Sequence, residues 1–125
     1  MTTKDGRMTF DDIIRALSCT VVVRGTAFET AGIKSLVSSD LMSDVLTTTE
    51  EDFIISTSLN SEQVVRTADI VGALGIVLVN GKYPQDAMRR LAEEHGITLL
   101  STPMDAYRVC FTLGCAMESR GRASP

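Results

Sequence analysis

The stretch from Phe53 to Met117 constrains the fold most, because strand-like and helix-like patterning alternate three times along it. Phe53-Ile54-Ile55, Gly75-Ile76-Val77-Leu78-Val79 and Ile97 to Leu100 are short apolar runs rich in β-branched residues. Continuous runs of this kind suit strands buried on both faces. Between the first two, Val64, Val65, Ala68 and Val71 share one helical face behind Asn60 or Ser61 as cap. Between the second and third, Pro84 opens a helix that buries Ala87, Met88, Leu91 and Ala92, and Gly96 stops it. Asp86 with Arg90 and Arg90 with Glu94 are i, i+4 pairs on its outer side. Thr102 caps a last helix with Pro103 at its first position, and Tyr107, Cys110, Phe111 and Gly114 lie on one side of it. Two successive strand–helix–strand units predict a three-layer α/β fold, a mainly parallel sheet with helices on both faces.

Upstream the pattern is less regular. Thr9 reads as a helix N-cap with Asp12 at the capping-box position, ahead of Phe10, Ile13, Ile14 and Leu17 at i, i+3, i+4, i+7. Val21-Val22-Val23 is a strand ending at Gly25, and Ile33 to Val37 is a second. Leu41, Met42, Val45 and Leu46 suggest a short helix capped by Ser39 or Asp40. The pattern leaves open whether these two strands join the main sheet or form a separate hairpin. The expected organisation is a disordered N-terminus over residues 1–8, one α/β domain over 9–118 and a flexible tail over 119–125.

Composition narrows the function classes. The chain has 125 residues, 12 basic against 16 acidic, for a net charge of −4, which disfavours an electrostatic nucleic-acid binder. Four Phe, two Tyr and no Trp make the core aliphatic and leave few platforms for stacking single-stranded bases. No apolar run approaches the roughly 20 residues of a membrane span, and no apolar leader follows the polar N-terminus, so the expected location is cytoplasmic. Three cysteines, an odd number, argue against a disulfide framework. Cys19, Cys110 and Cys115 lack the paired spacing of a zinc or iron–sulfur site, so buried thiols are the expectation, with no metal and no cofactor. The single histidine, His95, precedes a helix-stopping glycine, where the helix dipole favours a cation, and reads as structural.

Chemistry in an open parallel sheet sits outside the carboxyl ends of the strands. Three loops leave those ends: Ser56 to Ser61, Asn80 to Pro84 and Ser101 to Asp105. Their candidate ligand-binding residues are Thr57, Ser58, Asn60, Asn80, Gly81, Lys82, Ser101 and Thr102. Each loop enters a helix N-terminus, which suits a phosphate or carboxylate, and Lys82 adds a full charge. The same residues also serve as ordinary caps and turns, and neither G-x-x-x-x-G-K-[ST] nor G-x-G-x-x-G occurs. No catalytic constellation stands out.

Gly72 to Pro84 together with Gly96 to Tyr107 resembles the DRTGG domain family, and Ser39 to Leu46 is similar to its stand-alone members, of the kind encoded near redox and hydrogenase genes. The resemblance spans about residues 9–118. It implies an α/β fold similar to the N-terminal domain of HPr kinase, which acts on the phosphocarrier of sugar transport. It also implies regulatory or interface-forming use rather than catalysis. Two loops depart from the family's namesake residues: Thr57-Ser58-Leu59-Asn60 holds no Asp-Arg, and Val79-Asn80-Gly81 stands in place of Thr-Gly-Gly.

The leading expectation is therefore a non-catalytic regulatory or assembly domain, a homodimer or a protein partner in a redox or metabolic complex. Its interface would be built from Leu36, Val37, Leu41, Met42 and Leu46, whose apolar surface exceeds what one small core buries. The alternative is a sensor binding a nucleotide or other small anion across the three loops. Neither nucleic acid nor membrane is an expected partner.

Overall fold

In the computed structural model the described residues are 7–122. The first helix, α1 (Phe10–Leu17), forms where the sequence places it. Thr9 Oγ1 accepts from the Asp12 backbone N–H and the Asp12 carboxylate accepts from the Thr9 N–H, closing a capping box. Phe10, Ile13 and Leu17 are fully buried along one face. Strand β1 (Thr20–Val23) follows, then β2 (Ser35–Ser38), the short helix α2 (Met42–Val45) and β3 (Phe53–Thr57). The regular alternation continues as α3 (Glu62–Val71), β4 (Gly75–Leu78), α4 (Asp86–His95), β5 (Thr98–Ser101) and α5 (Ala106–Arg122).

The five strands form one sheet in the order β1-β5-β4-β3-β2. Strands β2, β3, β4 and β5 are parallel, and β1 pairs antiparallel with β5, with an irregularity between Val21 and Val23. The two upstream strands therefore close opposite edges of the main sheet rather than pairing with each other. Helices α2, α3 and α4 cover one face around Phe53, Ile55, Ile76, Leu78 and Leu99. Helices α1 and α5 cover the other around Ile54, Val77, Val79 and Leu100. Residues of β3, β4 and β5 alternate between these two cores, which is why their runs carry no polar stripe. Strand β4 opens with glycine because the Phe10 ring lies against it: a Cβ at Gly75 would stand 2.8 Å from ring carbons of Phe10.

Several boundaries differ from the sequence reading. Met8, expected in a disordered end, is buried and bridges to Ile33 through reciprocal backbone hydrogen bonds of 2.8 and 2.7 Å. The rest of that expected end, residues 1–6, lies outside the described residues. Ile33 makes that bridge rather than opening β2, which starts at Ser35. Helix α4 begins after Gln85 rather than at Pro84, and its ion pairs run through Arg89, to Asp86 and Glu93, not through Arg90. Helix α5 starts at Ala106, where the Asp105 carboxylate accepts from the Arg108 N–H at 2.8 Å. It runs on to Arg122, so residues expected in a tail are helical, and residues 123–125 lie outside the described residues.

Candidate functional site

The carboxyl ends of β2, β3, β4 and β5 converge on one edge of the molecule, and the loops that leave them are tied to one another. Asp40, read from sequence as a helix cap, turns instead toward the β3 loop. Its Oδ1 accepts from the Thr57 hydroxyl and the Ser58 N–H, both at 2.7 Å, and its Oδ2 accepts from the Ser58 hydroxyl at 2.6 Å. The Ser58 hydroxyl and N–H and the Thr57 hydroxyl together hold the Asp40 carboxyl below the usual carboxylate range, against a smaller opposing effect of burial. Helix α2 has Leu41 at its N-cap with no side-chain hydrogen bond, while the Ser39 hydroxyl accepts from the Leu41 N–H.

The remaining candidate residues largely hold the loops together. Asn60 Nδ2 donates to the Tyr83 carbonyl at 2.9 Å, and the Ser101 hydroxyl donates to the Lys82 carbonyl at 2.6 Å. Gly81 N–H donates to the Thr102 carbonyl, and Asn80 N–H to that of Met104. Thr102 is fully buried; its hydroxyl donates to the Leu17 carbonyl at 2.5 Å and accepts from the Met104 N–H. It is thus a joint between α1 and the β5 loop rather than part of a binding surface. Lys82 and the side chain of Asn80 are exposed.

Of the eight candidates, Thr57, Ser58 and Asn80 line a common cleft of about 260 Å³, together with Ser38, Ser39, Asp40, Ser56, Val79 and Ala106. Asn60, Gly81, Lys82, Ser101 and Thr102 do not line it. From sequence alone Ser56 opens the loop that runs to Ser61. The structure puts it inside β3, 1% exposed, with a hydroxyl that has no hydrogen-bond partner. Its signal in the sequence is a serine two residues after Ile54, at a position where the alternation asks for an apolar side chain.

A second feature lies on the outer side of α5. Tyr107 and Phe111 are 72% and 58% exposed and stack on each other with centroids 6.2 Å apart and an interplanar angle of 18°. Beside them an open groove of about 520 Å³ runs between α5 and the edge strand β2, lined by Leu36, Cys110, Gly114 and Met117 among others. The buried side of α5 is formed by Val109 and Leu113, with Ala116 and Met117 packed against the same core. The stripe Tyr107, Cys110, Phe111, Gly114 seen in the sequence is therefore real and faces outward.

The interface residues expected from the sequence separate. Leu41 and Leu46 are exposed, whereas Leu36 and Val37 are half-buried and pack against opposite cores. Met42 is 4% exposed in the core beneath α2 and offers nothing to a partner. The cysteines also divide: burial pushes the Cys19 thiol up to about 11, Cys110 lines the groove, and Cys115 is exposed rather than buried. His95 Nδ1 lies 3.7 Å from an Asp69 carboxylate oxygen on the neighbouring helix. Among the described residues no three His, Cys, Asp or Glu side chains gather as a metal site, and no helix is long and apolar enough to cross a membrane.

The profile of the DRTGG domain matches residues 12–113. The chain belongs to the DRTGG domain family. The fold agrees with that of a crystal structure of the CBS and DRTGG domains of the regulatory region of Clostridium perfringens pyrophosphatase, complexed with the activator diadenosine tetraphosphate. The two superpose with a TM-score of 0.66 at 16% sequence identity, over 90% of this chain. This DRTGG chain covers 48% of that structure's chain, so it spans about half its length. Among curated protein sequences none matches.

Proposed function

We propose that this DRTGG domain is a non-catalytic regulatory domain that acts by association, two copies packing through the outer face of α5 and the adjacent edge of β2. Membership of the family and a fold shared with part of a pyrophosphatase regulatory region support the regulatory reading. The observation that carries association is the stacked, solvent-facing Tyr107–Phe111 pair beside an open groove. Large aromatic side chains are the commonest anchors of interfaces, and here two of them are neighbours on one helix.

Gly114 adds to this. Glycine inside a helix costs about 0.5–1 kcal/mol relative to alanine, yet a Cβ at Gly114 would meet nothing within 4 Å. Its own chain does not require the small residue, whereas an aromatic ring from a second copy would. Antiparallel apposition of two α5 helices places Phe111 of each copy against Gly114 of the other, the self-complementary arrangement of a two-fold interface. The reading of an anion held across all three loops has less support. The Thr57 and Ser58 donors are already taken by Asp40, and the Asn60, Ser101 and Thr102 donors by backbone carbonyls.

Phe111→Ser tests the association. Loss of one aromatic anchor is worth about 2 kcal/mol or more, and a two-fold interface loses two, so the dimer Kd should rise on the order of 10³-fold. Light scattering behind size exclusion should show the wild-type dimer and a monomeric, folded Phe111→Ser. A variant that stays dimeric overturns the placement of the interface.

A further inference from the structure

Ser56 is an anomaly in a well-satisfied core. Buried polar groups are almost always hydrogen-bonded, and a buried hydroxyl without a partner is destabilising. Among the described residues this is the one buried side-chain oxygen or nitrogen without a partner. Although its hydroxyl has almost no exposed surface, Ser56 is among the residues that line the cleft at the carboxyl ends of β2 and β3. Ser38 is its register partner on β2. Both residues lie two positions beyond side chains of the α1/α5 core, Leu36 and Ile54, so both hydroxyls face the α5 side of the sheet. Ala106, the first residue of α5, lines the cleft as well, with Val79 and Asn80 from just beyond the end of β4.

We propose that this cleft binds an uncharged small molecule through a vicinal diol, as presented by a ribose or another sugar. The lining holds one charge, the Asp40 carboxylate, and no Lys, Arg or His, so a phosphate dianion meets repulsion without a counter-charge. A divalent cation needs more carboxylate and carbonyl ligands than one carboxylate that already accepts three hydrogen bonds. A diol needs both acceptors and donors, and the cleft supplies both. A carboxylate has about four acceptor positions, so Asp40 keeps one for a ligand hydroxyl. The Ser38 and Ser56 hydroxyls and the Asn80 amide can each donate or accept. Of the first N–H groups of α5, that of Arg108 is taken by the Asp105 carboxylate, which leaves those of Ala106 and Tyr107 without a partner within the helix, and the Val79 side chain gives an apolar floor for a ring face.

The test compares adenosine, D-ribose and 2′,3′-dideoxyadenosine, at millimolar concentration, on wild type, Ser56→Ala and Asn80→Gly, followed by thermal unfolding and calorimetric titration. Glycine is chosen at position 80 because the backbone there has φ +60°. Wild type should gain several degrees of Tm with adenosine or ribose and nothing with the dideoxynucleoside. A response to adenosine alone identifies a nucleoside, and a response to both identifies the sugar itself. Ser56→Ala without ligand should melt about 2–5 °C above wild type, since it removes an unsatisfied polar group, and should lose the ligand response at least tenfold in Kd. Asn80→Gly should weaken the response too. No response of wild type to adenosine or ribose, an equal response to the dideoxynucleoside, or a Ser56→Ala that melts lower than wild type each overturns the proposal. Each comparison is made at one protein concentration and the calorimetric titration reads binding directly, so failure here is distinct from failure of association through α5.

Discussion

Asp12 shows how one side chain can serve local and tertiary structure together. Burial raises its proton affinity, but the Thr9 backbone and hydroxyl hydrogen bonds and the charges of Arg120 and Arg15 outweigh it, leaving the carboxyl below its ordinary value of 3.8. The ionised form is thus favoured in the folded state. The stabilisation it brings is complete above about pH 4 and is lost as pH falls through the folded-state value. Asp40 acts in the same direction. The slope of stability against pH between about 4 and 2 should therefore flatten in Asp12→Asn, whose amide oxygen can still accept from the Thr9 N–H. Urea titrations across that range check it; an unchanged slope contradicts the assignment. Thr102 makes a comparable point without charge. Thr102→Val keeps the volume but strands the Leu17 carbonyl, and should cost about 1–3 kcal/mol in the same measurement.

At the scale of elements, the Phe10 ring against β4 makes a sharp prediction. Gly75→Ala forces a methyl to 2.8 Å from that ring and should cost about 1–3 kcal/mol, as overpacked cores do; chemical denaturation that finds it neutral shows that α1 yields more easily than its packing suggests. What was legible in the sequence follows the same logic. The runs at Phe53, Gly75 and Ile97 were readable because strands buried on both faces leave no ambiguous polar stripe. Helix α1 was readable because its cap and its apolar spacing agree. The start of α4 was not, since Pro84 fits the first position of a helix and only the tertiary contact of Asn60 with the Tyr83 carbonyl and the Gln85 N–H shows an extended segment there. The edge strands β1 and β2 were visible as strands, but their placement on opposite sides depends on pairings far apart in sequence.

For the whole molecule, helix α5 is the element on which the proposed function turns. Its first turn walls the cleft at Ser56, its inner face packs on the sheet through Val109 and Leu113, and its outer face presents Tyr107 and Phe111. Ligand and partner would therefore act on one rigid helix. Part of this site was legible from sequence: the Tyr107–Gly114 stripe, and the loops at the carboxyl ends of the strands. The rest was not. Met42 could be told from a surface residue only once α2 was seen to fold down onto the core, and Asp40 and Ser56 acquire meaning only where β2 and β3 lie side by side. The most direct test of the central claim is sedimentation velocity of the wild-type protein over a hundredfold range of concentration, with Phe111→Ser alongside. Association through α5 requires a wild-type dimer that dissociates on dilution and a variant that sediments as a monomer throughout. A wild-type protein that is monomeric at every concentration contradicts it.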